Sequence, residues 1–276
     1  MQAKCNDMMH VPTLTELWQI VHDELNPIAQ EEPIIASFLY ATVLKHETMC
    51  SSLSYVLANA LSCEPLPAIA IREIIDKAYK EDKSIIESAK RDLCAFYTRD
   101  PSCDLYSTPF LYYKGFHALQ AHRIAHWLWQ NNRKSLARLF QNRISAVLGV
   151  DIHPGARIGS GILMDHAHGV VIGETAVVGD DVSILHAVTL GGTGKESGDR
   201  HPKVMRGVLI AAGAKILGNV TIGECAKIAA GSVVLEDVPP CTTVAGVPAK
   251  IVSQNLKTDE PALAMDHSIR EKLTQQ

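Results

Sequence analysis

A six-residue period of aliphatic residues, running from Ile152 to about Val247, constrains this chain more than any other feature. Three hexads are followed by a slip of two residues and by four more hexads. A segment rich in glycine and charge then precedes a second block. The hexads open at Ile152, Ile158, Met164, Ile172, Val178, Ile184 and Leu190, and then at Val204, Ile210, Ile216, Ile222, Ile228 and Val234.

Each hexad has the pattern of a short strand followed by a turn. The opener points inward, a small residue fits the corner, and glycine permits the tight bend. Three hexads form one triangular coil, and stacked coils bury a continuous core. Ordinary strands with coincidental spacing would not give about thirteen openers in two in-phase blocks. We therefore predict a left-handed parallel β-helix of hexapeptide repeats at residues 150–252, with a loop at 191–205.

The preceding residues, 1–149, show helical rather than hexad spacing. A capping box at Thr13–Glu16 starts the first helix, and the Asn26-Pro27 pair is expected to interrupt it. We predict an all-α N-terminal domain that caps the first coil. The polar tail, residues 253–276, is expected to be flexible.

Composition excludes several classes of protein. A net charge of −4 gives no reason to expect nucleic acid or an anionic membrane surface as a partner. No apolar run approaches the ~18 residues of a membrane span, and the start of the chain does not resemble a signal peptide. The 7 cysteines include no CxxC pair, which is typical of reduced thiols. We expect a cytoplasmic protein.

Asp151 and His166 are the first candidates for chemistry. They are 15 residues apart, close to the ~18 residues of one coil, so they can approach each other on neighbouring rungs. A carboxylate beside an imidazole favours one tautomer and suits a general base. The alternative is that Asp151 caps a turn and His166 is a hydrogen-bonded filler.

Other clusters flank the slip and the loop. The glycine-rich run 191–194 offers backbone amides to a ligand, and Arg200 could hold a carboxylate, although exposed loop arginines are common. Histidine is dense in the coil, which permits a metal site, but the irregular spacing favours none. The coil histidines are His153, His166, His168, His186 and His201.

At these clusters the sequence resembles the serine O-acetyltransferases, from the N-terminal helices to about Val252. Hexads alone indicate only a broad acyltransferase superfamily, whereas these motifs beside a helical N-terminal domain are much more specific. The motifs are Asp100–Pro109, Lys114–Gln120, Val150–Pro154, Gly173–Ala176, Val188–Gly194, Gly198–Pro202 and Ala245–Ala249.

The resemblance implies acetyl transfer from acetyl-CoA to the L-serine hydroxyl, in cysteine biosynthesis and without a metal. It makes His166 the catalytic base and Asp151 its partner. The positions implied to bind serine are Asp100, Asp165, Arg200 and His201. Those implied to contact coenzyme A are Gly192, Ala212, Lys227 and Ala230.

The resemblance also implies partners. Members form homotrimers, and the N-terminal helices join two trimers into a hexamer. L-cysteine inhibits by occupying the serine pocket. Many members bind O-acetylserine sulfhydrylase through a terminal isoleucine, and the ending Thr-Gln-Gln of this sequence disfavours that complex without excluding it. His168 is a second departure, since the family usually has threonine there.

Three alternatives fit the same coil. One is a sugar or drug O-acetyltransferase, although Asp100 and the Gly198–Pro202 motif favour an amino-acid acceptor. The second is a metal-dependent hydratase of the carbonic anhydrase type. The third is a non-catalytic scaffold whose helices bind a partner.

Overall fold

The computed structural model describes residues 11–194, 197–254 and 260–268. An α-helical region precedes a parallel β-helix, which confirms the predicted fold class. The helices are α1 Leu14–Glu31, α2 Pro33–Leu39, α3 Met49–Leu61, α4 Ala68–Glu81, α5 Ser84–Arg99, α6 Ser107–Tyr112, α7 Lys114–Gln130 and α8 Lys134–Leu148, with a π-helical turn at Tyr40–Leu44.

Helix α1 begins at the predicted capping box and does not stop at Pro27. The Thr13 hydroxyl accepts from the Glu16 amide at 3.2 Å, and the Thr13 amide donates to the Glu16 carboxylate at 2.8 Å. The predicted interruption is wrong, because α1 continues through Pro27. Proline removes only one backbone donor, so the rest of the helical hydrogen-bond ladder remains. The buried apolar stripe also holds the helix together.

In the described residues, fifteen short strands follow, and they form three faces of a prism. One sheet has the order β1-β4-β7-β10-β13, the second β11-β8-β5-β2 and the third β15-β14-β12-β9-β6-β3. The strands are β1 Val150–Ile152, β2 Arg157–Ile158, β3 Leu163–Met164, β4 Val170–Ile172, β5 Val177–Val178, β6 Ser183–Ile184, β7 Thr189–Gly191, β8 Lys203–Val204, β9 Leu209–Ile210, β10 Lys215–Leu217, β11 Thr221–Ile222, β12 Lys227–Ile228, β13 Val233–Val234, β14 Thr242–Gly246 and β15 Ala249–Gln254.

The parallel register shows where the coil departs from its period. Paired residues are 20 apart in the first turn, 18 in the second, 26 across the loop and 18 after it, as in the pairs Val150–Val170, Val171–Thr189, Val177–Lys203 and Lys203–Thr221. The two long turns coincide with the two-residue slip and with the glycine-rich segment. Strand β8 resumes the coil at Lys203, inside the predicted loop range.

A buried charge network joins the helices to the first coil. Asp92 on α5 is fully buried. Its carboxylate accepts from the Ile162 amide at 2.9 Å and from the Arg123 guanidinium at 2.6 Å. Arg123 on α7 also donates to the Gly159 carbonyl at 2.8 Å. The helical domain is therefore fixed against the β-helix at a defined angle.

The described end of the chain packs onto the third sheet. Strand β15 runs antiparallel to β14, and the short helix α9, Pro261–Ala264, lies against α5 and β9. Ala262 is fully buried, and Glu260 pairs with Arg206 at 2.9 Å. The terminal Thr-Gln-Gln lies outside the described residues. None of the helices described in the structure is long and apolar enough to cross a bilayer.

Candidate functional site

Two consecutive residues with positive φ turn the chain between β3 and β4, where the hexad pattern slips. The φ angles are 54° at His166 and 58° at Ala167, in a region that residues other than glycine seldom adopt. The turn directs the His166 side chain outward, where it is 73% exposed, with Nε2 at 3.5 Å from Asp165 Oδ2. An accessible imidazole beside a carboxylate suits proton transfer.

A cavity of about 390 Å³ separates the helices from this corner. The sequence-predicted residues Asp100, Asp165 and His166 all line it. Asp100 lies at the end of α5, where its carboxylate accepts from the Ser102 amide at 2.8 Å and from the Ser102 hydroxyl at 2.7 Å. Two carboxylates beside an imidazole make the cavity suitable for a small ligand that carries an ammonium group.

The start of α7 closes the cavity through residues that the sequence analysis missed. Tyr113 and Lys114 line the wall, and burial raises the pKa of Tyr113. Gly115 lets the helix approach β3 closely, because a Cβ there would clash with the Met164 carbonyl. The Lys114 ammonium lies 3.4 Å from His168 Nδ1. In the sequence, the Lys114–Gln120 motif was the signal that could have identified Lys114 and Gly115.

The pairing of Asp151 with His166 stays a prediction. Asp151 lies in the middle of β1 and pairs across the sheet with Val171, and its carboxylate accepts from the Gln141 side chain at 2.7 Å. Among the described residues no hydrogen bond or ion pair joins Asp151 to His166. The reason is that His166 lies in the corner before β4, ahead of the rung that faces Asp151. Gln141 belongs to α8, about which the hexad pattern says nothing.

Arg200 and His201 form a second group on the opposite corner of the first sheet. The Arg200 guanidinium donates to the Glu174 carboxylate at 2.8 Å, and this bond lowers the pKa of Glu174. His201 is 7% exposed, and its Nδ1 lies 2.9 Å from the Thr175 hydroxyl. Burial and the neighbouring Arg200 charge lower the pKa of His201. Gly192 adjoins this group, since a Cβ there would lie 3.4 Å from Arg200 Cγ.

The three-residue strand β4 separates the two groups. At 3.3 Å per residue it spans roughly 10 Å. No hydrogen bond or ion pair joins the His166 corner to the Arg200 corner within the described parts of the chain. One chain thus brings Asp100, Asp165 and His166 together and keeps Arg200, His201 and Gly192 apart from them.

The predicted coenzyme A residues Ala212 and Ala230 form a ladder above the His166 corner. The Gly213 amide donates to the His186 carbonyl at 2.9 Å, and the Gly231 amide to the Ala212 carbonyl at 2.8 Å. The corner therefore continues upward through small residues. A Cβ at Gly231 would meet no atom within 4 Å, so this edge is open at that position.

Lys227 lies on β12, in the third sheet. Its ammonium donates to the Ser268 carbonyl at 2.9 Å and lies 3.5 Å from the Asp266 carboxylate. The described C-terminal segment thus reaches the position that the resemblance assigns to coenzyme A.

The five histidines of the coil divide between the two corners. His166 and His186 stack edge to face, with ring centroids 5.8 Å apart, and His168 shares their corner. His153 and His201 lie at the other corner, where the His153 Nδ1 accepts from the Gly155 amide at 3.0 Å. Across residues 11–194, 197–254 and 260–268, no three His, Cys, Asp or Glu side chains form a group that could hold a metal ion.

Comparisons with known proteins cover both parts of the chain. Residues 17–121 match the family model "Serine acetyltransferase, N-terminal", and residues 201–236 match "Bacterial transferase hexapeptide (six repeats)". A serine acetyltransferase of Salmonella typhimurium is 58% identical over 250 residues, 91% of each chain. The serine acetyltransferase structure from Vibrio cholerae is 57% identical, with a TM-score of 0.91 over 93% of this chain and 99% of that chain.

Two similar structures were solved with ligands. A serine acetyltransferase in complex with CoA is 55% identical, with a TM-score of 0.84 over 87% of this chain and 100% of that chain. The soybean enzyme complexed with serine is 53% identical, with a TM-score of 0.85 over 87% and 98%. Identity of this level over nine-tenths of the sequence settles descent, and this chain belongs to the serine acetyltransferase family.

Proposed function

We propose that this chain transfers acetyl from acetyl-CoA to the hydroxyl of L-serine, giving O-acetylserine and free CoA. The observation that carries the proposal is the cavity in which His166 meets the carboxylates of Asp100 and Asp165. Serine offers a hydroxyl for the imidazole and an ammonium for the carboxylates. Both groups fall within reach of one small cavity, as an amino-acid acceptor requires.

The chemistry needs one base and no covalent intermediate on the protein. His166 takes the serine hydroxyl proton as the oxygen attacks the thioester carbon. We assign to the Gly192 amide the role of stabilising the negative charge on the carbonyl oxygen. The carbon–sulfur bond then breaks, and the imidazolium returns its proton to the leaving thiolate. The proton that His166 takes from serine is the proton that it gives to the thiolate. His166 therefore ends the reaction in its starting protonation state.

Two carboxylates are candidates for supporting the imidazolium. Asp165 lies 3.5 Å from His166 Nε2 within the same chain, and it is also a candidate for the serine ammonium. We assign the partner role to Asp151, as the resemblance implies. The hydrogen bond from Gln141 supports this role, because it holds the Asp151 carboxylate on the outer face of the first sheet.

The separation of the two groups favours a site shared between copies of the chain. In a homotrimer, the corner that carries Arg200 and His201 can adjoin the His166 corner of the next copy. Arg200 would then hold the serine carboxylate through its planar guanidinium. Three such contacts close a ring, which is the usual form of a head-to-tail assembly.

Exposed apolar side chains on the helices support a further pairing of two trimers. Ile34 is 94% exposed, and Phe38 and Tyr112 stack with ring centroids 6.5 Å apart while remaining half exposed. Apolar groups clustered in this way usually mark an interface. We infer a hexamer built as a dimer of trimers, joined through α2 and α6.

The ladder of Ala212 and Ala230 suits the pantetheine arm of coenzyme A. Its small side chains leave a track that leads to His166, and a phosphate would replace the Asp266 carboxylate as the partner of Lys227 at its edge. L-cysteine differs from serine only in carrying a thiol in place of the hydroxyl. We therefore propose that it competes with serine for the same cavity.

The described cysteines support a reducing compartment. None of the six described cysteines forms a disulfide, as expected for a cytoplasmic protein.

A thiol-release assay tests the function. Purified enzyme with acetyl-CoA should release CoA when L-serine is added, and not with galactosides or chloramphenicol. Replacing His166 with alanine should lower turnover by about 10²–10⁴ while leaving the thermal melt unchanged. Release that depends on another acceptor, or a His166→Ala enzyme of normal rate, would overturn the assignment.

A further inference from the structure

Cys225 and Cys241 occupy the same corner of the β-helix on consecutive coils. They are 16 residues apart in the sequence. The parallel pairs that flank them on either side have the same separation, and these pairs are Ile222–Val238 and Lys227–Thr243. The two cysteines are therefore stacked in register, one directly after the other along the axis of the β-helix.

Stacking in register brings the two Cα atoms to the separation that a disulfide requires. Both residues adopt the left-handed turn of this corner, with φ of 55° at Cys225 and 51° at Cys241. The Cys241 amide donates to the carbonyl of Glu224, the residue before Cys225, at 2.8 Å. Backbones joined in this way lie roughly 4.8 Å apart, and disulfides join Cα atoms that are about 4.4–6.8 Å apart. The two sulfur atoms can therefore be bonded with little movement of the backbone.

The thiol side chains have room to turn toward each other. Both cysteines are half-buried and neither forms a disulfide. The Cys225 thiol now lies toward the preceding coil, because a Cβ at Gly207 would be 3.1 Å from its Sγ. Rotation about the Cα–Cβ bond moves this sulfur from Gly207 toward Cys241. Burial and the neighbouring Cys241 thiol raise the pKa of Cys225, as expected for two thiols that are close enough to interact.

The segment between the two cysteines is the last complete coil of the described β-helix. A terminal repeat has a neighbouring repeat on one side only, so it is the part of a solenoid that most needs a cap. Residues 225–241 carry β12 and β13, and β13 is the edge strand of the first sheet. Leu235, just after β13, is 53% exposed. A covalent bond across this coil would oppose its detachment, since it lowers the conformational entropy that the released chain could gain.

We propose that Cys225 and Cys241 are a redox-sensitive thiol pair, which a peroxide converts into a disulfide that closes the last coil. One thiolate attacks a peroxide oxygen, the O–O bond breaks, hydroxide leaves and a sulfenic acid forms. The second thiol attacks the sulfenic sulfur, the S–S bond forms and water leaves. Two thiols and one hydrogen peroxide thus give one disulfide and two waters, and a thiol reductant reverses the change. The free thiols are the resting state in a reducing compartment.

Peptide mapping tests the bond directly, because trypsin cleaves between the two cysteines at Lys227 and next at Lys250. Cys5, which lies outside the described residues, is first replaced by serine in the full-length chain. The protein is treated with excess hydrogen peroxide, blocked with N-ethylmaleimide and digested without reductant. We expect peptides 216–227 and 228–250 to appear as one linked species that dithiothreitol separates. Free thiols per denatured chain should fall from six to four.

Serine variants provide the controls for this mapping. Cys225→Ser and Cys241→Ser should each abolish the linked species and the loss of two thiols. Cys63→Ser removes a half-buried cysteine of the helical region and should leave the linked species unchanged. Absence of the linked species in the Cys5→Ser protein would overturn the proposal. Linkage of Cys225 or Cys241 mainly to another cysteine would overturn it equally.

The effect of the disulfide on the fold is measured by thermal melting. The Tm of the peroxide-treated protein should exceed that of the reduced protein by about 4 °C or more, since the bond disfavours the unfolded chain. Peroxide should leave the Tm of Cys225→Ser unchanged. A linked protein whose Tm does not rise would contradict the role of the disulfide in holding the last coil. Neither measurement depends on acetyl transfer, so both test this inference separately from the proposed function.

Discussion

His166 owes its exposure to backbone that a regular hexad would not provide. The positive φ angles at His166 and Ala167 carry a conformational cost that the surrounding coils must offset. That cost places an imidazole at the mouth of a cavity, next to Asp165, instead of inside the prism. The two-residue slip is the sequence signature of this turn.

Arg200 offers a prediction at the same scale. If its guanidinium holds the serine carboxylate, Arg200→Ala should raise KM for serine by about 10-fold or more, equivalent to one charge-assisted hydrogen bond. KM for acetyl-CoA should change little. Steady-state kinetics with each substrate varied separately measure both values.

The exposed Arg133, at the start of α8, is the matched control for this change. Arg133→Ala removes the same charge and should leave both KM values unaltered. An Arg200→Ala enzyme that loses affinity for acetyl-CoA as much as for serine would contradict the assigned role.

The site residues show what spacing can and cannot reveal. The slip and the loop correctly indicated where polar side chains leave the coil, and Asp100, Asp165 and His166 do share a cavity. A contact between Asp151 and His166 does not follow from their separation in sequence, because a corner and a mid-strand position on one coil face different neighbours. Thr175 lies within the Gly173–Ala176 motif, but its contacts depend on the loop that folds back onto it.

At the scale of the elements, the packing of helix α5 against α7 and the first coil depends on one buried carboxylate. Asp92 is fully buried and accepts from Gln120, Arg123 and the Ile162 amide. Asp92→Ala would leave the Arg123 guanidinium buried without its partner. We expect a loss of about 3–5 kcal/mol in the free energy of unfolding, measured by urea denaturation.

Glu87, on the same helix, provides the comparison for Asp92. It pairs with Lys90 at 2.9 Å but is half exposed, so Glu87→Ala should cost less than about 1 kcal/mol. If both substitutions lowered the free energy of unfolding equally, the Asp92 network between the helices and the β-helix would not be a major source of stability.

Helix α7 carries a buried histidine that predicts a pH dependence. His122 is 1% exposed, and burial lowers its pKa well below the usual value. In the unfolded chain it takes up a proton below about pH 6.5. The unfolded state then binds more protons than the folded state, so stability falls as the pH drops below that value.

Substituting the histidine tests this linkage. The loss of stability between about pH 7.5 and about pH 5.5 should be smaller in His122→Leu than in wild type, by at most about 1.4 kcal/mol per pH unit. The exposed His267 is the control, and His267→Leu should keep the wild-type slope. Parallel stability curves for wild type and His122→Leu would refute the prediction.

The elements also mark the limits of sequence patterns. The hexad openers gave the inward positions of the coil correctly, because a repeat samples one local geometry many times. The predicted helix α1 ended too early, at Pro27. The prediction gave one proline more weight than a buried apolar stripe whose packing partners are distant in sequence. The docking of α9 on the third sheet had no periodic signal.

At the scale of the whole molecule, the helices should join two trimers. Charge at the centre of the apolar surface on α2 should separate them, so Ile34→Glu should halve the mass measured by light scattering. Ile69, which is 71% exposed on α4, is the control, and Ile69→Glu should keep the wild-type mass. A wild-type mass of one or three chains would contradict the hexamer.

The central claim is that one chain supplies the base and another the carboxylate clamp of each serine site. Co-expressing His166→Ala and Arg200→Ala chains tests it directly, with activity measured at low serine. Each variant alone should be nearly inactive. Random head-to-tail trimers should leave about one interface in four intact, and so recover about a quarter of wild-type activity. A mixture no more active than the average of the two variants would contradict the shared site.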